Sequence, residues 1–549
     1  MLILSASRRT NLLETTRRGI VAAILFLCTS CTPVQSLLAP STIADETGDT
    51  LVYGLTLAPS GIDPHVNASS ELGIPLTSVY DTLIYRSLEE MVDGSTPFTP
   101  GLATSWDISA DGLTYTFDLR RDVTFHDGTD FNAEAVKANL DRVMDPETAS
   151  QKAVFLLGPL QSVEVTGEYQ VVLHLKSPYA PLLDGLAQVY LGMASPAALT
   201  QWGADYQYHQ VGTGPFRFVE YVPNDHLTIE RYDAYQWGPA LYDHPGPAHL
   251  QRVEFRFFAD PAGRSLALEA GDVQVMGEVP PLDTDRLAKT DRFQVLPTHI
   301  PGQALSFLMN TQNPPLDDWS VRQALTLATD RETIVSVVFG QHSPVADGPL
   351  TRATYGHAPA VKLIVHEPQE ANRLLEEAGW IDTDGDGIRD REGQPLALEI
   401  ISMTWGSLPE VSQLLQAEWA EVGIATDIST LTYPGAQEAA RLGDYHLFPQ
   451  AYAGADPDIL WTYYHSQSPS NRSRMADAEL DALLDQGRED ADATARLKTY
   501  AGAQAKIHEL SLLIPIREQV NLNVTSQDVQ GLRFDAHGWF PLLHDVYLD

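Results

Sequence analysis

The stretch that decides the fold comprises three linked segments: Phe98-Thr-Pro-Gly-Leu-Ala-Thr-Ser-Trp106, Asp111-Gly-Leu-Thr-Tyr-Thr-Phe-Asp-Leu-Arg120 and Val123-Thr-Phe-His-Asp-Gly-Thr129. Apolar and polar residues alternate in the second segment, which predicts a strand with one buried face. The third segment ends in His-Asp-Gly, a composition typical of a turn, because glycine tolerates backbone angles that other residues avoid. Asn132 or Asp130 can then cap a helix over residues 133–143. The stretch therefore predicts strand, turn and helix in succession.

The same two periodicities recur along most of the chain. Alternation predicts further strands at residues 171–175 and 253–257, and helical spacing predicts helices at residues 321–328, 411–422 and 480–484. Strands and helices that interleave in this way indicate α/β or α+β lobes.

The amino-acid composition of the chain argues against one class of binding partner. The chain has 549 residues, with 73 Asp and Glu against 35 Lys and Arg, and a formal net charge of −38. Nucleic acid is not an expected partner, because binding to its backbone depends on Lys and Arg that neutralise phosphates. Both cysteines, Cys28 and Cys31, lie near the N-terminus. The rest of the chain therefore has no disulfide scaffold, cysteine nucleophile or cysteine-ligated metal.

The N-terminus has the pattern of an export signal. Four arginines precede the apolar run from Gly19 to Leu27, which is too short to span a bilayer as a helix. A cysteine just after such a run resembles a bacterial lipoprotein signal, and Cys31, preceded by the small residue Ser30, is the predicted lipid anchor. We expect a signal peptide over residues 1–30 and a tether over 31–50. Lipidation of Cys28, an ordinary signal peptide, and Sec or twin-arginine export all stay open.

Common catalytic motifs are absent from the sequence. It contains no H-E-x-x-H, G-x-S-x-G, G-x-x-x-x-G-K-[ST] or G-x-G-x-x-G pattern. We therefore expect a protein that is not an enzyme and requires no cofactor. A hydrolase whose catalytic residues meet only in space is the less favoured alternative.

One acidic segment has the spacing of a calcium loop. Asp382, Asp384, Asp386 and Asp390 alternate with other residues, and Gly387 stands at the sixth position. Oxygen ligands at this spacing can surround Ca²⁺, although Gly393 occupies the position where an EF-hand has a bidentate glutamate. A structural calcium ion is one interpretation. The other is a Gly-rich turn between a helix ending at Trp380 and a strand at Leu396–Ile401.

The segments quoted at the outset resemble the family 5 extracellular solute-binding proteins of ABC importers, which include dipeptide-, oligopeptide- and nickel-binding proteins. Further matching segments follow in the family's order. They are Asp63-Pro64, Gly212-Thr-Gly-Pro-Phe216, Val321-Arg-Gln-Ala-Leu325, Leu374-Leu-Glu-Glu-Ala-Gly-Trp380 and Val422-Gly-Ile424. The resemblance covers about residues 50–545.

The resemblance implies an α/β, two-lobed periplasmic-binding-protein fold of type II, in the large cluster with an extra subdomain in lobe I. Lobe I would take residues 51–300, with the subdomain at about 82–200, and the return segment 514–549. Lobe II would take residues 301–513. Two crossings, near Leu296–Phe307 and Leu513–Asn521, would form the hinge between lobes that close over the ligand.

The resemblance also implies where ligand binds. In peptide-binding relatives an aspartate before a conserved proline pairs with the peptide's ammonium group. Aligning Pro457 with that proline puts Tyr452 near the family's tryptophan and Ala453 where the aspartate should be. Asp456 or Asp458 would have to replace it, since a buried charge needs a partner. Gly454 lies in the same binding segment. Trp405 and Tyr452 are candidates for aromatic walls of the site or for ordinary core positions.

The expected function follows from the resemblance. We expect an exported, periplasmic or cell-surface monomer, anchored to the membrane by its lipid, that delivers a small solute to the membrane subunits of an ABC permease. A peptide is the first expectation for the ligand. A metal chelate, a sugar, or a sensor or chaperone role for the same fold are the alternatives.

Overall fold

The computed structural model describes residues 49–88, 97–359, 365–404 and 406–549. Thr47–Asp549 form one compact unit. The predicted signal peptide and lipid-anchor Cys31 lie outside the described residues, as do most of the predicted tether and Trp405. Among the described residues, no helix combines the length and the apolar character needed to cross a membrane.

A seven-stranded mixed sheet dominates one part of the molecule. Across the sheet its strands are Phe293–His299, Val520–Ser526, Val275–Met276, Thr50–Leu55, Arg252–Phe257, His226–Arg231 and Phe216–Val222. Thr50–Leu55 runs parallel to both of its neighbours, and the other pairs are antiparallel. The N-terminal strand therefore lies at the centre of this sheet, with alternating buried residues facing the core.

A four-stranded antiparallel sheet contains parts of the first two segments that decide the fold, residues 98–106 and 111–120. Its strands, in order, are Ala103–Ile108, Thr114–Leu119, Gln170–Leu175 and Leu160–Gly167. The helix Ala133–Met144 packs on this sheet, and the Asn132 side chain accepts a hydrogen bond from the Ala135 amide at 3.0 Å, as the capping prediction requires. His126 is half-buried and bonds through Nε2 to the Gly214 carbonyl at 2.9 Å, so it holds the turn in place.

A five-stranded mixed sheet organises the remaining part. Its strands, in order, are Ala425–Leu431, Ala397–Met403, Leu447–Ala453, Gly302–Met309 and Leu513–Arg517. This sheet has a hydrophobic core of its own, whereas the seven-stranded and four-stranded sheets share another. The two separate cores and the mixed sheets confirm the predicted α/β class.

The helices predicted from spacing are present. In the part of the chain that the structure describes, the α-helices are Ser70–Leu76, Ala133–Met144, Ala153–Leu156, Leu182–Leu186, Pro196–Trp202, Pro261–Ala270, Pro281–Leu287, Trp319–Ala328, Arg331–Phe339, Pro368–Glu377, Leu408–Ala420, Tyr433–Leu442, Ile459–Tyr464, Ala478–Glu489 and Ala493–Glu509. One predicted boundary is wrong. The helix expected to end at Trp380 ends at Glu377, because Gly379 adopts a φ of +82° that no helix continues.

The chain passes between the two large sheets at two adjacent points. Ile300 and Pro301 join Phe293–His299 to Gly302–Met309, and Glu518 and Gln519 join Leu513–Arg517 to Val520–Ser526. The Ile300 amide donates to the Gln519 carbonyl at 2.9 Å, so the links lie side by side. Both lie within the segments predicted as hinge crossings. The lobe boundaries drawn from the sequence stay predictions.

Candidate functional site

A cavity of about 280 Å³ opens beside the two links and is lined from both large parts of the fold. The side of the five-stranded sheet contributes Ala451, Tyr452, Ala453 and Gly454. The opposite side contributes Ala68, Ser70, Lys152, Gln188, Tyr190, His537, Trp539 and Phe540, and the second link contributes Gln519. A pocket with mostly apolar walls and a few polar groups is the usual form of a small-molecule site.

The strand Leu447–Ala453 positions the predicted binding segment. It pairs antiparallel with Gly302–Met309, placing Gly302 opposite Ala453. A side chain at Gly302 would collide with the Tyr452 carbonyl, because a Cβ there would lie 2.1 Å from that oxygen. Tyr452 keeps 47% of its surface exposed at the cavity, and its ring centroid is 5.6 Å from that of Tyr463.

The opposite wall is built around Tyr190 and Lys152. The Tyr190 ring is fully buried and its hydroxyl donates to the Ser69 carbonyl at 3.0 Å. Lys152, just before the helix Ala153–Leu156, places its Nζ 3.8 Å from the centroid of the Tyr190 ring. Burial lowers the pKa of Lys152 to about 8, against the opposing attraction of Asp184. A cation over an aromatic face is stabilised by the ring's negative potential.

The aspartate predicted as a partner for a ligand ammonium, Asp456, is paired inside the protein. Its carboxylate accepts hydrogen bonds from Arg496 Nη1 at 2.7 Å and Nη2 at 2.6 Å. Burial alone would raise the pKa of Asp456, but the Arg496 charge outweighs burial, so the pKa lies below its usual range. Asp456 is therefore a neutralised charge in this conformation, and it does not line the cavity.

Asp458 has the same kind of partner. Its two oxygens accept from Arg488 Nε at 2.9 Å and Nη2 at 2.8 Å, and the Tyr500 hydroxyl adds a contact at 3.1 Å. Burial raises the pKa of Asp458, with Arg488 opposing. A carboxylate that accepts two hydrogen bonds from one guanidinium has little capacity left to bind a second cation.

A charged cluster connects the two parts of the fold next to these pairs. Arg86, from the side of the seven-stranded sheet, donates from Nε to Asp184 at 2.8 Å. Its Nη2 also lies 4.0 Å from Asp456 Oδ2 on the other side. The Ala180 amide donates to the Arg488 carbonyl at 2.9 Å across the same boundary. The two parts therefore touch at the cavity side as well as at the links.

The acidic loop brings together three of its four predicted ligands. Single oxygens of Asp382, Asp384 and Asp386 lie within 4.8 Å of one another on the exposed loop. Asp390 instead accepts from the Thr383 amide at 2.9 Å and hydroxyl at 2.6 Å. Oxygen-rich loops of this kind suit Ca²⁺ in charge and donor type, and the calcium interpretation stays a prediction.

Several cavity residues were not singled out by the sequence analysis. They are Lys152, Gln188, Tyr190, Gln519, His537 and Trp539. None stands in a recognisable motif, and their sequence positions span almost 400 residues. The one available signal was the aromatic pair Trp539-Phe540 in the segment expected to return to lobe I.

The sequence of the chain is similar to the sequences of known proteins. The family model described as bacterial extracellular solute-binding proteins, family 5 Middle, matches residues 97–474. The dipeptide-binding protein of Escherichia coli (strain K12) is 26% identical over 537 residues, 92% of this chain and 95% of that protein. The probable di/tripeptide-binding protein 5 of Pseudomonas aeruginosa (strain UCBPP-PA14) is 30% identical over 493 residues, 83% of this chain and 88% of that protein.

A solved structure extends the likeness to three dimensions. NikA from Brucella suis in complex with Fe(III)-EDTA superposes with a TM-score of 0.80 at 25% identity, over 91% of this chain and all of that one. Structural neighbours of this kind are two-lobed periplasmic binding proteins, so the predicted two-lobed fold is confirmed. Both sequence relatives are named as binding proteins.

Proposed function

The chain belongs to the family 5 bacterial extracellular solute-binding proteins, and we propose that it captures a small solute between its lobes and delivers it to the membrane permease of an ABC importer. The observation that carries this proposal is the cavity lined by both lobes and by the second link. A solute held there contacts both lobes at once, so it binds the closed arrangement better than the open one and shifts the population toward closure.

A peptide is the first candidate for the solute. The two relatives reported above are named for dipeptides and for di- and tripeptides. A non-peptide solute is the second candidate, favoured by Ala453, which offers no carboxylate to a peptide's ammonium group. NikA with its Fe(III)-EDTA is a precedent in the same fold for a solute that is not a peptide.

Native mass spectrometry of gently purified protein tests capture directly. We expect one small ligand per chain, and a thermal shift with at least one member of a panel of di- to pentapeptides, sugars and metal chelates. A chain with no ligand and no response to the whole panel would contradict the proposal.

A substitution in the cavity wall tests the location. Tyr452→Ala should weaken binding of the responding ligand by about tenfold, because an aromatic contact contributes about 0.5–1.5 kcal/mol beyond its area. Tyr547→Ala is the matched control, since Tyr547 is exposed to the same degree, 46%, and lies outside this cavity. Equal affinities for the two variants would place the ligand elsewhere.

We also propose that Cys31 carries the lipid that holds the protein at the outer face of a membrane, where family 5 binding proteins act. Metabolic labelling with a radioactive fatty acid should mark the wild type and Cys28→Ser, but not Cys31→Ser. Label on the wild type and on Cys31→Ser, but not on Cys28→Ser, would assign the anchor to Cys28, and label on neither wild type nor variants would indicate an ordinary signal peptide.

A further inference from the structure

We propose that the cavity recognises its solute through a carboxylate that pairs with Lys152, so that the ligands of this protein are small organic acids or peptides whose amino terminus is not a required charge. The inference rests on the proposed function, because it assigns the solute class of the same cavity. In a standard peptide binder of this family, an aspartate of the binding segment meets the positive ammonium group of the ligand. Here a lysine meets a negative carboxylate of the ligand instead.

The first step is the charge balance of the cavity. Among the described residues that line it, Lys152 is the one lysine or arginine, and there is no aspartate or glutamate. Among the described residues, no carboxylate forms an ion pair with the Lys152 ammonium, whose close neighbour is the Tyr190 ring at 3.8 Å. A half-buried cation without an ionic partner is less stable than a paired one, and a ligand anion would supply the missing partner.

Of the acidic groups near the cavity, Asp184 and Asp535 have partners of their own, whereas Glu71 lines a neighbouring pocket and, among the described residues, forms no ion pair with Lys152. Asp184, whose attraction reaches Lys152, is held by Arg86 at 2.8 Å and also accepts from Gln188 Nε2 at 3.2 Å. Asp535 lies next to the cavity and bonds His537 Nδ1 at 2.8 Å. Neither carboxylate lines the cavity, so neither takes the place of a ligand anion on Lys152.

The second step is the lack of a site for a cation. Ala453 stands on the cavity wall where the family's ammonium-binding aspartate is expected. The two aspartates that follow it, Asp456 and Asp458, each accept two hydrogen bonds from one arginine. A ligand ammonium in this cavity would meet Lys152 and no carboxylate among the described residues that line it, and like charges at close range disfavour binding.

The remaining lining suits the rest of a small acid. Gln188 and Gln519 offer neutral amides, and Tyr452 and Trp539 offer aromatic surface. A cavity of about 280 Å³ is at the small end of ligand sites, so it fits a molecule of roughly one or two amino-acid residues. Neutral donors and aromatic walls can orient such a molecule while Lys152 neutralises its charge.

Four forms of one dipeptide separate the contributions of its two charges. N-acetyl-Ala-Ala carries only the carboxylate, Ala-Ala amide only the ammonium, Ala-Ala both, and N-acetyl-Ala-Ala amide neither. Calorimetry with wild type should show tightest binding for N-acetyl-Ala-Ala and weakest for Ala-Ala amide. Lys152→Met should lose about 10- to 100-fold in affinity for N-acetyl-Ala-Ala, the usual range for a hydrogen bond to a charged group, and should lose the preference among the four probes.

Two further variants distinguish a charge effect from a loss of folding. Lys152→Arg keeps the positive charge and should retain the preference for N-acetyl-Ala-Ala. Lys176→Met removes an exposed lysine of the same subdomain, outside the cavity, and should behave as wild type. Thermal unfolding of each variant verifies that it is folded.

The pH dependence gives a readout that a merely structural role would not move. The Lys152 ammonium of the free protein loses its proton near pH 8, so wild-type affinity for N-acetyl-Ala-Ala should fall above that pH. Lys152→Arg should show no such fall. The other titratable groups facing this region are Asp184, Glu71, Tyr190, Tyr452, Asp535 and His537, and all are shared by the two proteins.

The outcomes also separate this inference from the proposed function. The ligand released from denatured wild type should carry a carboxylate, and Lys152→Met should lack it. Three results would overturn the assignment to Lys152 while solute capture stands. They are a ligand equally abundant on Lys152→Met, a ligand without an anionic group, and tighter binding of Ala-Ala amide than of N-acetyl-Ala-Ala. A wild type that holds no ligand and binds none of the four probes overturns both.

Discussion

Lys152 serves ligand binding and lowers the stability of the folded chain. Its pKa is lowered from 10.5 to about 8 because burial disfavours the ammonium form. The unfolded chain therefore binds more protons than the folded chain between these two pH values. The penalty that Lys152 imposes on folding is complete below pH 8 and disappears as the pH rises toward 10.5.

We expect Lys152→Met to be more stable than wild type when no ligand is bound. The free energy of unfolding at pH 7 should rise by up to about 3 kcal/mol, since one pKa unit corresponds to about 1.4 kcal/mol. Urea unfolding at pH 7 and at pH 10 measures this, and the difference between the two proteins should shrink at pH 10. Lys176→Met should show no gain, and a Lys152→Met that is less stable than wild type at pH 7 would contradict the expectation.

Asp456 has a structural role that its sequence position did not reveal. Replacing it by alanine leaves the guanidinium of Arg496, whose side chain is 7% exposed, without its bidentate partner. Breaking a buried ion pair from one side costs about 3–5 kcal/mol. Asp456→Ala should therefore be destabilised by that amount in urea unfolding, and the double variant with Arg496→Met should recover part of the loss.

The original interpretation of Asp456 as an ammonium partner makes a different prediction. It requires Asp456→Ala to keep wild-type stability and to lose affinity for Ala-Ala more than for N-acetyl-Ala-Ala. The two measurements on the same variant therefore decide between a structural aspartate and a binding one.

At the scale of elements, the loop after the helix Pro368–Glu377 is organised by its own side chains. Asp382 accepts from the Gly385 amide at 2.7 Å, and Asp386 from the Ile388 amide at 2.8 Å. Gly385 and Gly387 both have positive φ, which brings the three carboxylates to the same side of the loop. The turn is thus held by its own hydrogen bonds, and its geometry suits an ion.

Calcium should stabilise the wild-type protein if the loop binds it as the spacing predicts. At 100 times its dissociation constant a ligand of the folded state contributes about 2.7 kcal/mol, so the Tm should rise with Ca²⁺ and return with EGTA. Asp384→Asn with Asp386→Asn should abolish the response. Asp390→Asn should leave it intact, because Asp390 bonds Thr383; a Tm independent of Ca²⁺ in wild type would leave the loop as a plain turn.

At the scale of the whole molecule, the net charge of −38 opposes the proposed ligand at long range and Lys152 attracts it at short range. Long-range fields govern association rates, and salt screens them over about 10 Å at 0.1 M. The acidic surface should therefore slow the approach of an anion and speed that of a cation.

Association rates in increasing salt test this balance. Stopped-flow tryptophan fluorescence, with Trp539 in the cavity wall as reporter, should show faster association of N-acetyl-Ala-Ala between about 10 mM and 150 mM NaCl, because screening removes repulsion. The neutral N-acetyl-Ala-Ala amide is the control and should be unaffected. Slower association of the anion in salt would mean that the field at the cavity mouth is positive.

The sequence by itself determined the α/β class, the strand and helix order around residues 98–136 and a helix cap at Asn132 or Asp130. These follow from local periodicity, turn composition and order along the chain, which are properties of neighbouring residues. Only the tertiary structure decided which charges meet. Arg496 lies 40 residues from Asp456, and Lys152 lies 300 residues from Tyr452. The separation of two residues along the sequence does not give their distance in space, and an ion pair depends on that distance. The unpaired charge of Lys152 in the cavity is therefore visible only in the folded structure.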